Sequence, residues 1–353
     1  MGAVATYIRR FFTIMRSEVL VLPGRTALVV FIAGLLALPL FTSDPYILRV
    51  MILTSIFAIF AGSWDLLSGF TGQMNFGHAL FFGVSAYVTA LLNLHLHFPP
   101  YLSIPAGAVG AVLAGLVVGI PCLRLKGSYL ALTTLAFPII LVGVVFAIPG
   151  ITGGELGLSG LSRLTPSRLL DYYVTAGAML AAGTVMWLIT DSKTGILLHA
   201  IREDELAARA AGINTTRYKL LAFCLSGFFA GISGGLYAHF MRLAGPSTLE
   251  VGLSFQVIIW SVFGGMVSIY GPMAGVFILN PLMEVLRVVL GKYPSLPEMR
   301  MFLFAALVLL TLRFMPEGFI PWVRDKAESQ CPRCKIRNVF FRRRCRVCDA
   351  AMS

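Results

Sequence analysis

The chain has 353 residues, of which 58% are hydrophobic and only 12% are charged, and its mean hydropathy is +0.84. Soluble domains carry about 25% charged residues, so these values exclude a soluble globular protein, a disordered chain and a secreted disulfide scaffold. Continuous apolar runs of roughly 17–23 residues match the thickness of a bilayer, whereas a membrane β-barrel would show alternating segments of about ten residues. The sequence therefore predicts an all-α, polytopic helical membrane protein.

Ten membrane-spanning helices are predicted, and a count of eight or nine is the alternative. Their approximate limits are 26–42, 46–68, 76–94, 101–122, 128–148, 172–190, 218–240, 252–269, 272–290 and 299–315. Residues 1–25 are predicted to form a cytoplasmic amphipathic leader rather than a signal peptide. Residues 26–322 form the predicted transmembrane domain, and residues 323–353 form a separate cytoplasmic tail.

The formal net charge of +12 is compatible with a polyanionic partner, but ten of the 28 Lys and Arg residues lie from Arg313 onward. Most of the others lie between apolar runs, which is typical of membrane orientation, so a nucleic-acid partner is disfavoured. With a cytoplasmic amino terminus, the inside regions hold the tail and Arg9, Arg10, Arg16, Arg25, Arg124, Lys126, Lys193, Arg202, Arg209, Arg217 and Lys219. The outside loops hold only Arg163, Arg168, Arg242 and Lys292, with Arg49 at a margin. We predict a multi-pass inner (cell) membrane protein, in contact with membrane lipids, with both termini cytoplasmic.

The inside loop over residues 191–217 is rich in Ala, Glu and Arg at helical spacing. It ends at Gly212-Ile213-Asn214, as the C-terminus of a helix does. The pattern predicts a short amphipathic helix on the cytoplasmic face. A solvated connector is the alternative explanation of the same periodicity.

Glycines interrupt the apolar pattern over residues 69–83, where Gln73, Asn75 and His78 stand beside two long apolar runs. Unpaired polar groups are costly in lipid, so such a segment must face a protein interior or a water-filled path. Broken helices of this kind often line translocation routes. A tight turn with glycines for close helix packing is the alternative.

A second stretch, residues 263–275, also has several glycines and a methionine among apolar residues. Its Gly264, Met266, Gly271 and Gly275 loosely echo Gly72, Met74, Gly77 and Gly83. A true echo would mean two related halves whose interrupted segments meet at the pathway.

The polar residues of the first segment have two explanations each. His78 either binds substrate or relays protons, or it is a neutral histidine bonded to the interrupted backbone. Asp65, just before the segment, either orients it or is hydrated at the interface. Gln73 and Asn75 either bind a carboxylate or ammonium group or cap freed helix ends.

Two threonines in the middle of a predicted span, Thr133 and Thr134, either line the path or bond back to their own helix. We rank the Gly72–Gly83 segment first as a translocation path and the Tyr129–Phe137 segment second. The candidate path residues are Gly72, Gln73, Asn75, Gly77, His78, Tyr129, Thr133 and Thr134.

Residues 64–87, Trp-Asp-Leu-Leu-Ser-Gly-Phe-Thr-Gly-Gln-Met-Asn-Phe-Gly-His-Ala-Leu-Phe-Phe-Gly-Val-Ser-Ala-Tyr, resemble the signature of the LivM-type permease of bacterial ATP-binding cassette (ABC) importers for branched-chain amino acids. Four further stretches resemble this family in the same order: Leu123–Phe137, Thr152–Gly160, Ile201–Phe223 and Arg313–Gly318. Together they span nearly all of residues 50–320, which makes the resemblance specific.

The resemblance implies a heterodimer with a homologous LivH-type permease, two cytoplasmic ABC ATPase subunits, an extracytoplasmic solute-binding protein and an amino-acid substrate. It also places the loop matching residues 201–213 in a cleft of the ATPase. The coupling residues that it implies are Arg202, Glu205, Ala207, Ala208 and Gly212. The family has an acidic residue where this chain has Leu206, and Glu205 lies one residue earlier.

The chain has no Walker lysine motif, so we predict a transport subunit that binds no nucleotide itself and is not an enzyme. A self-sufficient channel or an ion-coupled secondary transporter of small solutes is the alternative. A membrane enzyme using His78 and Asp65 is disfavoured because the predicted spans show no nucleophile, metal constellation or paired carboxylates. The resemblance implies a substrate among the branched-chain and other amino acids, amides and urea.

The tail contains two Cys-x-x-Cys pairs, Cys331 with Cys334 and Cys345 with Cys348, separated by ten residues. This spacing suits a structural Zn²⁺ site with four thiolates, and a cytoplasmic position disfavours disulfides. A redox-active or unliganded tail is the alternative. The tail is atypical of the family, and its neighbouring arginines suit either anionic lipid headgroups or an acidic face of the ATPase partner.

Overall fold

The computed structural model describes residues 23–42, 44–122, 125, 127–290, 299–331, 334, 337–339 and 348. Most of the predicted leader lies outside these ranges, and so do the loop residues Arg124, Lys126 and Lys292, the tail residues Arg342, Arg343, Arg344 and Arg346, and Cys345.

Helices dominate the described chain, as its hydropathy predicts. They are α1 (Pro23–Phe41), α2 (Pro45–Trp64), α3 (Ala79–Leu96), α4 (Pro100–Cys122), α5 (Ser128–Ala147), α6 (Pro149–Thr152), α7 (Arg168–Asp191), α8 (Lys193–Glu203), α9 (Glu205–Ala210), α10 (Thr215–Met241), α11 (Val251–Gly264), α12 (Tyr270–Leu290), α13 (Met299–Phe314) and α14 (Phe319–Ala327). The strands are short: β1 (Leu158–Ser159), β2 (Leu243–Ala244), β3 (Glu328–Gln330) and β4 (Arg337–Val339). A π-helical turn over Asp65–Gly69 extends α2, and a 3-10 turn covers Pro246–Leu249.

Seven helices of the described chain are long and apolar enough to cross a membrane. They are Pro45–Gly69, Ala79–Leu96, Pro100–Cys122, Ser128–Ala147, Arg168–Asp191, Thr215–Met241 and Tyr270–Leu290. Each of the ten predicted spans coincides with an observed helix, so the polytopic helical class is confirmed. The span predicted over 252–269 is too long, because α11 ends at Gly264 and the positive φ of Gly265 (107°) cannot continue a helix.

Side-chain caps explain where several helices begin. Asp44 Oδ1 accepts a hydrogen bond from the N–H of Tyr46 at 2.8 Å, just before α2. Asn214 Oδ1 accepts from the N–H of Arg217 at 3.0 Å at the start of α10. Such caps satisfy backbone donors that have no partner inside the helix.

The single helix predicted within residues 191–217 is a pair of helices, α8 and α9. They are separated at Asp204, whose extended backbone stops α8 and whose Oδ1 accepts from the N–H groups of Leu206 and Ala207 at 2.8 and 3.0 Å. The predicted helix end is confirmed: Gly212 has φ 83° and its N–H bonds back to the last turn of α9. The cap at Asp204 therefore divides a charged sequence that has good helix propensity throughout.

Helix α10 lies at the centre of the larger unit and packs against α2, α3 and α4. Its 27 residues span about 40 Å at 1.5 Å per residue. Small residues allow the close approach: a Cβ at Gly231 would lie 2.7 Å from the Cα of Ala108. We name the two ends of α10 the Arg202 end, where it meets α8 and α9, and the Arg242 end.

At the Arg242 end, the loop between α6 and α7 is bonded to the end of α10, and α10 is bonded to α4. His239 Nε2 lies 2.7 Å from Ser103 Oγ, and its Nδ1 lies 3.0 Å from the carbonyl oxygen of Ser162. Arg242 Nε donates to the carbonyl oxygen of Leu161 at 2.9 Å. Strand β1 of this loop pairs antiparallel with β2, so the loop has a defined position.

The chain divides into two compact units, one formed by residues 44–318 and one by the described parts of residues 1–43 and 319–353. In the smaller unit, α14 packs against α1 and β3. Strands β3 and β4 pair antiparallel with Ser329 opposite Asn338. The described tail is therefore a helix followed by a hairpin that carries the cysteines.

Candidate functional site

The glycine-rich segment is a break between two helices inside the protein. After α2 the chain makes the π-helical turn Asp65–Gly69, leaves helical geometry by Gly72 (φ 70°) and resumes as α3 at Ala79. Burial is continuous from Ala58 through Thr71. The helix is therefore interrupted where the sequence predicts. Within the interruption Gln73, Asn75, Gly77 and His78 are buried, whereas Gly72 and Met74 are exposed.

Side chains replace the helical hydrogen bonds that the break removes. Trp64 Nε1 donates to the carbonyl oxygen of Asn75 at 2.8 Å, and the N–H of Asn75 donates to Ser68 Oγ at 3.3 Å. The N–H of Phe76 donates to Thr134 Oγ1 on α5 at 3.1 Å. Buried backbone groups need such partners, and together they fix one conformation of the break.

Gly77 brings the break into direct contact with α5. A Cβ at this position would overlap the carbonyl oxygen of Thr134 and would lie 3.3 Å from Pro138 Cδ. Pro138 has no N–H to donate to that carbonyl, so α5 is locally open where Gly77 approaches. The Gly77 N–H donates instead to Asn75 Oδ1 at 2.9 Å.

His78 is fully buried at the start of α3. Its Nε2 lies 2.9 Å from Ser63 Oγ, and its Nδ1 lies 3.4 Å from Asn75 Nδ2. The ring stacks on Phe60 with centroids 4.8 Å apart and contacts Phe81 edge-on at 5.4 Å. This packing agrees with the interpretation of His78 as a histidine bonded within the interrupted region.

A second interrupted segment meets the first. Helix α11 ends at Gly264, the chain turns through residues 265–269, and α12 begins at Tyr270. The carboxyl group of Asp65 accepts from the N–H groups of Val267 at 2.8 Å and Ser268 at 3.0 Å. Asp65 is therefore buried and orients the partner segment rather than lying hydrated at an interface.

A small cavity lies beside the first break, with an internal volume of about 10 Å³, room for about one water molecule. Among its lining residues are Gln73, Asn75, Thr134, Cys122 and Phe223. The Oε1 atom of Gln73 is buried and has no hydrogen-bond partner among the described residues. A donor group that entered the cavity would satisfy this oxygen.

The remaining predicted path residues do not share this environment. Tyr129 is 75% exposed on α5, and Thr133 is only partly buried. Gly72 is exposed and lies against α8, since a Cβ there would be 3.3 Å from Arg202 Cγ. Thr134 does line the cavity, and its hydroxyl bonds back to the carbonyl oxygen of Ala131 at 2.9 Å, as one of its two alternatives predicts; its place in a transport path stays a prediction.

The predicted coupling residues divide into inward and outward groups. Glu205 accepts from Lys219 Nζ at 2.8 Å and from Arg209 at 2.5 Å, which ties α9 to α10. Ala208 is buried, whereas Ala207 and Gly212 are exposed. Arg202 is partly buried at the end of α8.

Three of the four predicted metal ligands come together in the tail. The Sγ atoms of Cys331, Cys334 and Cys348 lie within 4.8 Å of one another, and Cys331 is 1% exposed. This cluster is able to bind a metal ion. Cys345 lies outside the described residues.

Sequence reasoning missed the serines that hold the breaks. Ser254 Oγ on α11 accepts from the N–H of Ala79 at 2.9 Å, and Ser226 Oγ on α10 donates to the carbonyl oxygen of Ser63 at 2.7 Å. A hydroxyl inside an apolar run was the available signal. The sequence gives no partner for it, because serine also bonds back to its own helix.

The family described as "Branched-chain amino acid transport system / permease component" matches residues 46–312 of the chain. The chain is 28% identical over 315 residues to the high-affinity branched-chain amino acid transport system permease protein LivM of Escherichia coli (strain K12), covering 81% of this chain and 71% of the relative. It is 27% identical over 312 residues to LivM of Salmonella typhimurium, covering 80% and 72%.

A probable LivH permease protein of Methanocaldococcus jannaschii is 27% identical over 223 residues, covering 60% of this chain and 70% of the relative. The family match contains both interrupted segments and the α8–α9 pair, and it extends over more than half of the sequence. The chain therefore belongs to the permease component family of branched-chain amino acid transport systems.

Proposed function

We propose that the chain is a permease subunit of an ABC importer for branched-chain or related amino acids. It is a multi-pass membrane protein and a transport component rather than an enzyme. The observation that carries the proposal is the meeting of two helix breaks, at 65–77 and 265–269, within the residues that match the family. Broken helices whose irregular backbone is held by protein are a common feature of transporter pathways.

The α8–α9 pair is the proposed docking site for the ATPase subunits. Leu206 is 69% exposed and is flanked by exposed Ala207, which leaves a small apolar face at the start of α9. Glu205 is turned toward Lys219 and holds this face in place. We assign Leu206, Ala207 and Gly212 to contact with the partner, and Glu205 and Ala208 to support of the helix.

The Gly72–Arg202 contact supports a mechanical link from α8 to the first break. A Cβ at Gly72 would lie 3.3 Å from Arg202 Cγ, so displacement of α8 would act directly on the backbone at Gly72. Rigid-body motion of packed helices is how alternating access generally proceeds. The link gives ATP hydrolysis in a partner a short route to the proposed path residues.

The proposed assembly contains a LivH-type permease, two cytoplasmic ATPase subunits and an extracytoplasmic solute-binding protein. We place both termini, α8 and α9 in the cytoplasm, because the basic loop residues collect on that side. The three-part division into leader, transmembrane domain and tail belongs to the same proposal.

Reconstitution of the complex in liposomes tests this function. ATP-dependent uptake of labelled leucine, isoleucine or valine is expected only when the ATPase and binding-protein subunits are present. A matched pair tests the docking site: Leu206→Glu is expected to lower uptake at least about tenfold, whereas the exposed Leu156→Glu leaves it within about twofold. Uptake by this chain alone under an ion gradient would contradict the proposal and favour a secondary transporter.

We propose in addition that the tail cysteines hold one structural Zn²⁺. Sulfurs bound 2.3 Å from a tetrahedral zinc lie about 3.8 Å apart, and the Cys331–Cys348 and Cys334–Cys348 sulfur distances are both 3.5 Å. Cys345 is the proposed fourth ligand.

Metal analysis of the purified chain tests the zinc proposal. We expect about one zinc per chain, lost in Cys334→Ser and retained in Cys224→Ser, which changes a cysteine of α10 outside the cluster. Zinc absent from the unmodified chain, or equal zinc in the two variants, would contradict the site.

A further inference from the structure

The turn between α11 and α12 contains a strained residue. Val267 has φ 64°, in the left-handed region that β-branched side chains adopt only under constraint. Glycine would occupy this conformation without strain. The surrounding protein must therefore hold Val267 in place.

Asp65 supplies that constraint. Its side chain is 0% exposed, Oδ1 accepts from the N–H of Val267 at 2.8 Å, and Oδ2 accepts from the N–H of Ser268 at 3.0 Å. Both carboxyl oxygens thus bind consecutive backbone donors about 200 residues away in the sequence. Separation would leave a buried carboxyl group without these partners, together with the N–H groups of two partly buried residues, so the contact resists opening.

Two glycines allow close packing around this turn. A Cβ at Gly69 would overlap Asp65 Oδ1 and would lie 3.1 Å from the nitrogen of Val267. A Cβ at Gly318 would lie 2.6 Å from the nitrogen of Gly265, at the start of the same turn. A larger residue at either position would therefore displace the backbone or the carboxyl group that it meets.

We propose that Asp65 is a positioning residue for transport. Its carboxyl group locks the strained 265–269 turn onto the π-helical turn at 65–69, so the two helix breaks move as one body when α8 displaces Gly72. The inference deepens the proposed function and rests on it. Strain at Val267 favours a released arrangement of the turn, and the carboxyl group selects the held one.

Asp65→Asn is the direct test. The amide keeps the size of the side chain, but its NH₂ group faces a backbone donor where a carboxyl oxygen accepted. In the reconstituted complex we expect the maximal uptake rate to fall at least about tenfold with KM changed less than about twofold. Asp44→Asn, at the exposed start of α2, is the matched control and is expected to transport normally, because asparagine also caps a helix.

Val267→Gly in the Asp65→Asn background separates positioning from general stability. Glycine removes the strain, so the held turn no longer requires the carboxyl group, and we expect the double variant to regain at least half of the lost rate. If Asp65→Asn alone fails to assemble, recovery of assembly in the double variant supports the proposal equally. A double variant no better than Asp65→Asn would overturn it.

Hydrogen exchange gives a readout independent of transport. The amides of Val267 and Ser268 are expected to exchange at least about tenfold faster in Asp65→Asn than in the unmodified chain. Unchanged exchange or unchanged uptake in Asp65→Asn would overturn the inference while the unmodified complex still imports. An unmodified complex without ATP-dependent uptake would instead contradict the proposed function.

Discussion

The chain has two buried histidines in similar bonds but different settings. His78 is bonded to a serine hydroxyl and lies where α2 is followed by α3 through irregular backbone. His239, at the Arg242 end, is also bonded to a serine hydroxyl but lies inside the continuous helix α10. His78 lies in the break that Asp65 bonds to the second break, whereas His239 holds the loop between α6 and α7 to the bundle.

The difference teaches that a buried histidine does not by itself mark a functional site in a membrane protein. Intramembrane ionisable groups are functional hypotheses, and we propose that the state of the backbone around each histidine distinguishes their roles. Where the helix is broken, every partner also fixes irregular backbone that can rearrange. Where it is continuous, the partners only anchor a loop.

The largest expected effect comes from truncating the two histidines. His78→Ala and His239→Ala each remove a buried ring and its hydrogen bonds, at a cost of about 3 kcal/mol of unfolding free energy. Thermal unfolding of both purified variants checks this. Per assembled complex, only His78→Ala is expected to lower uptake, whereas His239→Ala exposes residues 149–167 to added protease. Equal loss of uptake in both would remove the functional distinction.

The next effect concerns the close approach of the break to α5. Gly77→Ala places a methyl group on the carbonyl oxygen of Thr134 and is expected to cost about 2–3 kcal/mol. Gly143→Ala, on helix α5 itself, is the control, since a Cβ there meets nothing within 4 Å. We expect this control to be neutral or slightly stabilising, because alanine favours helix. A Gly77→Ala chain with an unchanged melting temperature would contradict the packing.

A smaller effect tests the link between the break and α8. Gly72→Ala and Gly127→Ala both place alanine at positive φ, at about 1–2 kcal/mol each, but only Gly72 faces another helix. The excess loss of stability and uptake in Gly72→Ala is expected to disappear when Arg202 is also changed to Ala. A double-mutant cycle on melting temperature and uptake measures this coupling, and additive changes would show that the two residues act independently.

The smallest effect is expected at the other end of α10. Arg242→Gly removes the hydrogen bond to Leu161 but relieves the left-handed backbone at φ 56°. The two contributions nearly cancel, so the free energy of unfolding should change by less than about 0.5 kcal/mol. Calorimetry checks this value, and a loss above about 2 kcal/mol would mean that the Arg242 end is less tolerant than a loop anchor should be.

Much of the site was predictable because its chemistry is local. Glycines and amides in an apolar run predict a helix break wherever they occur, and Gly212 predicts a helix end. A true echo between 69–83 and 263–275 would mean two related halves that meet at the pathway. The two breaks do meet, through Asp65, whereas the relation between the halves and the pathway itself stay predictions. The capping role of Asp204 was missed because Ala-rich and Glu-rich sequence favours helix on both sides of it.

Hydropathy by itself determined the helical membrane class and the approximate limits of the helices, because an unpaired backbone in lipid leaves few other structures. Tertiary structure alone decided which polar groups are partners. Asp65 and Val267 are about 200 residues apart in the sequence, and Ser254 of α11 accepts a hydrogen bond from Ala79 at the start of α3. Apolar periodicity states which side of a helix is buried, but not which neighbour covers it, so such pairs are fixed only when the helices pack.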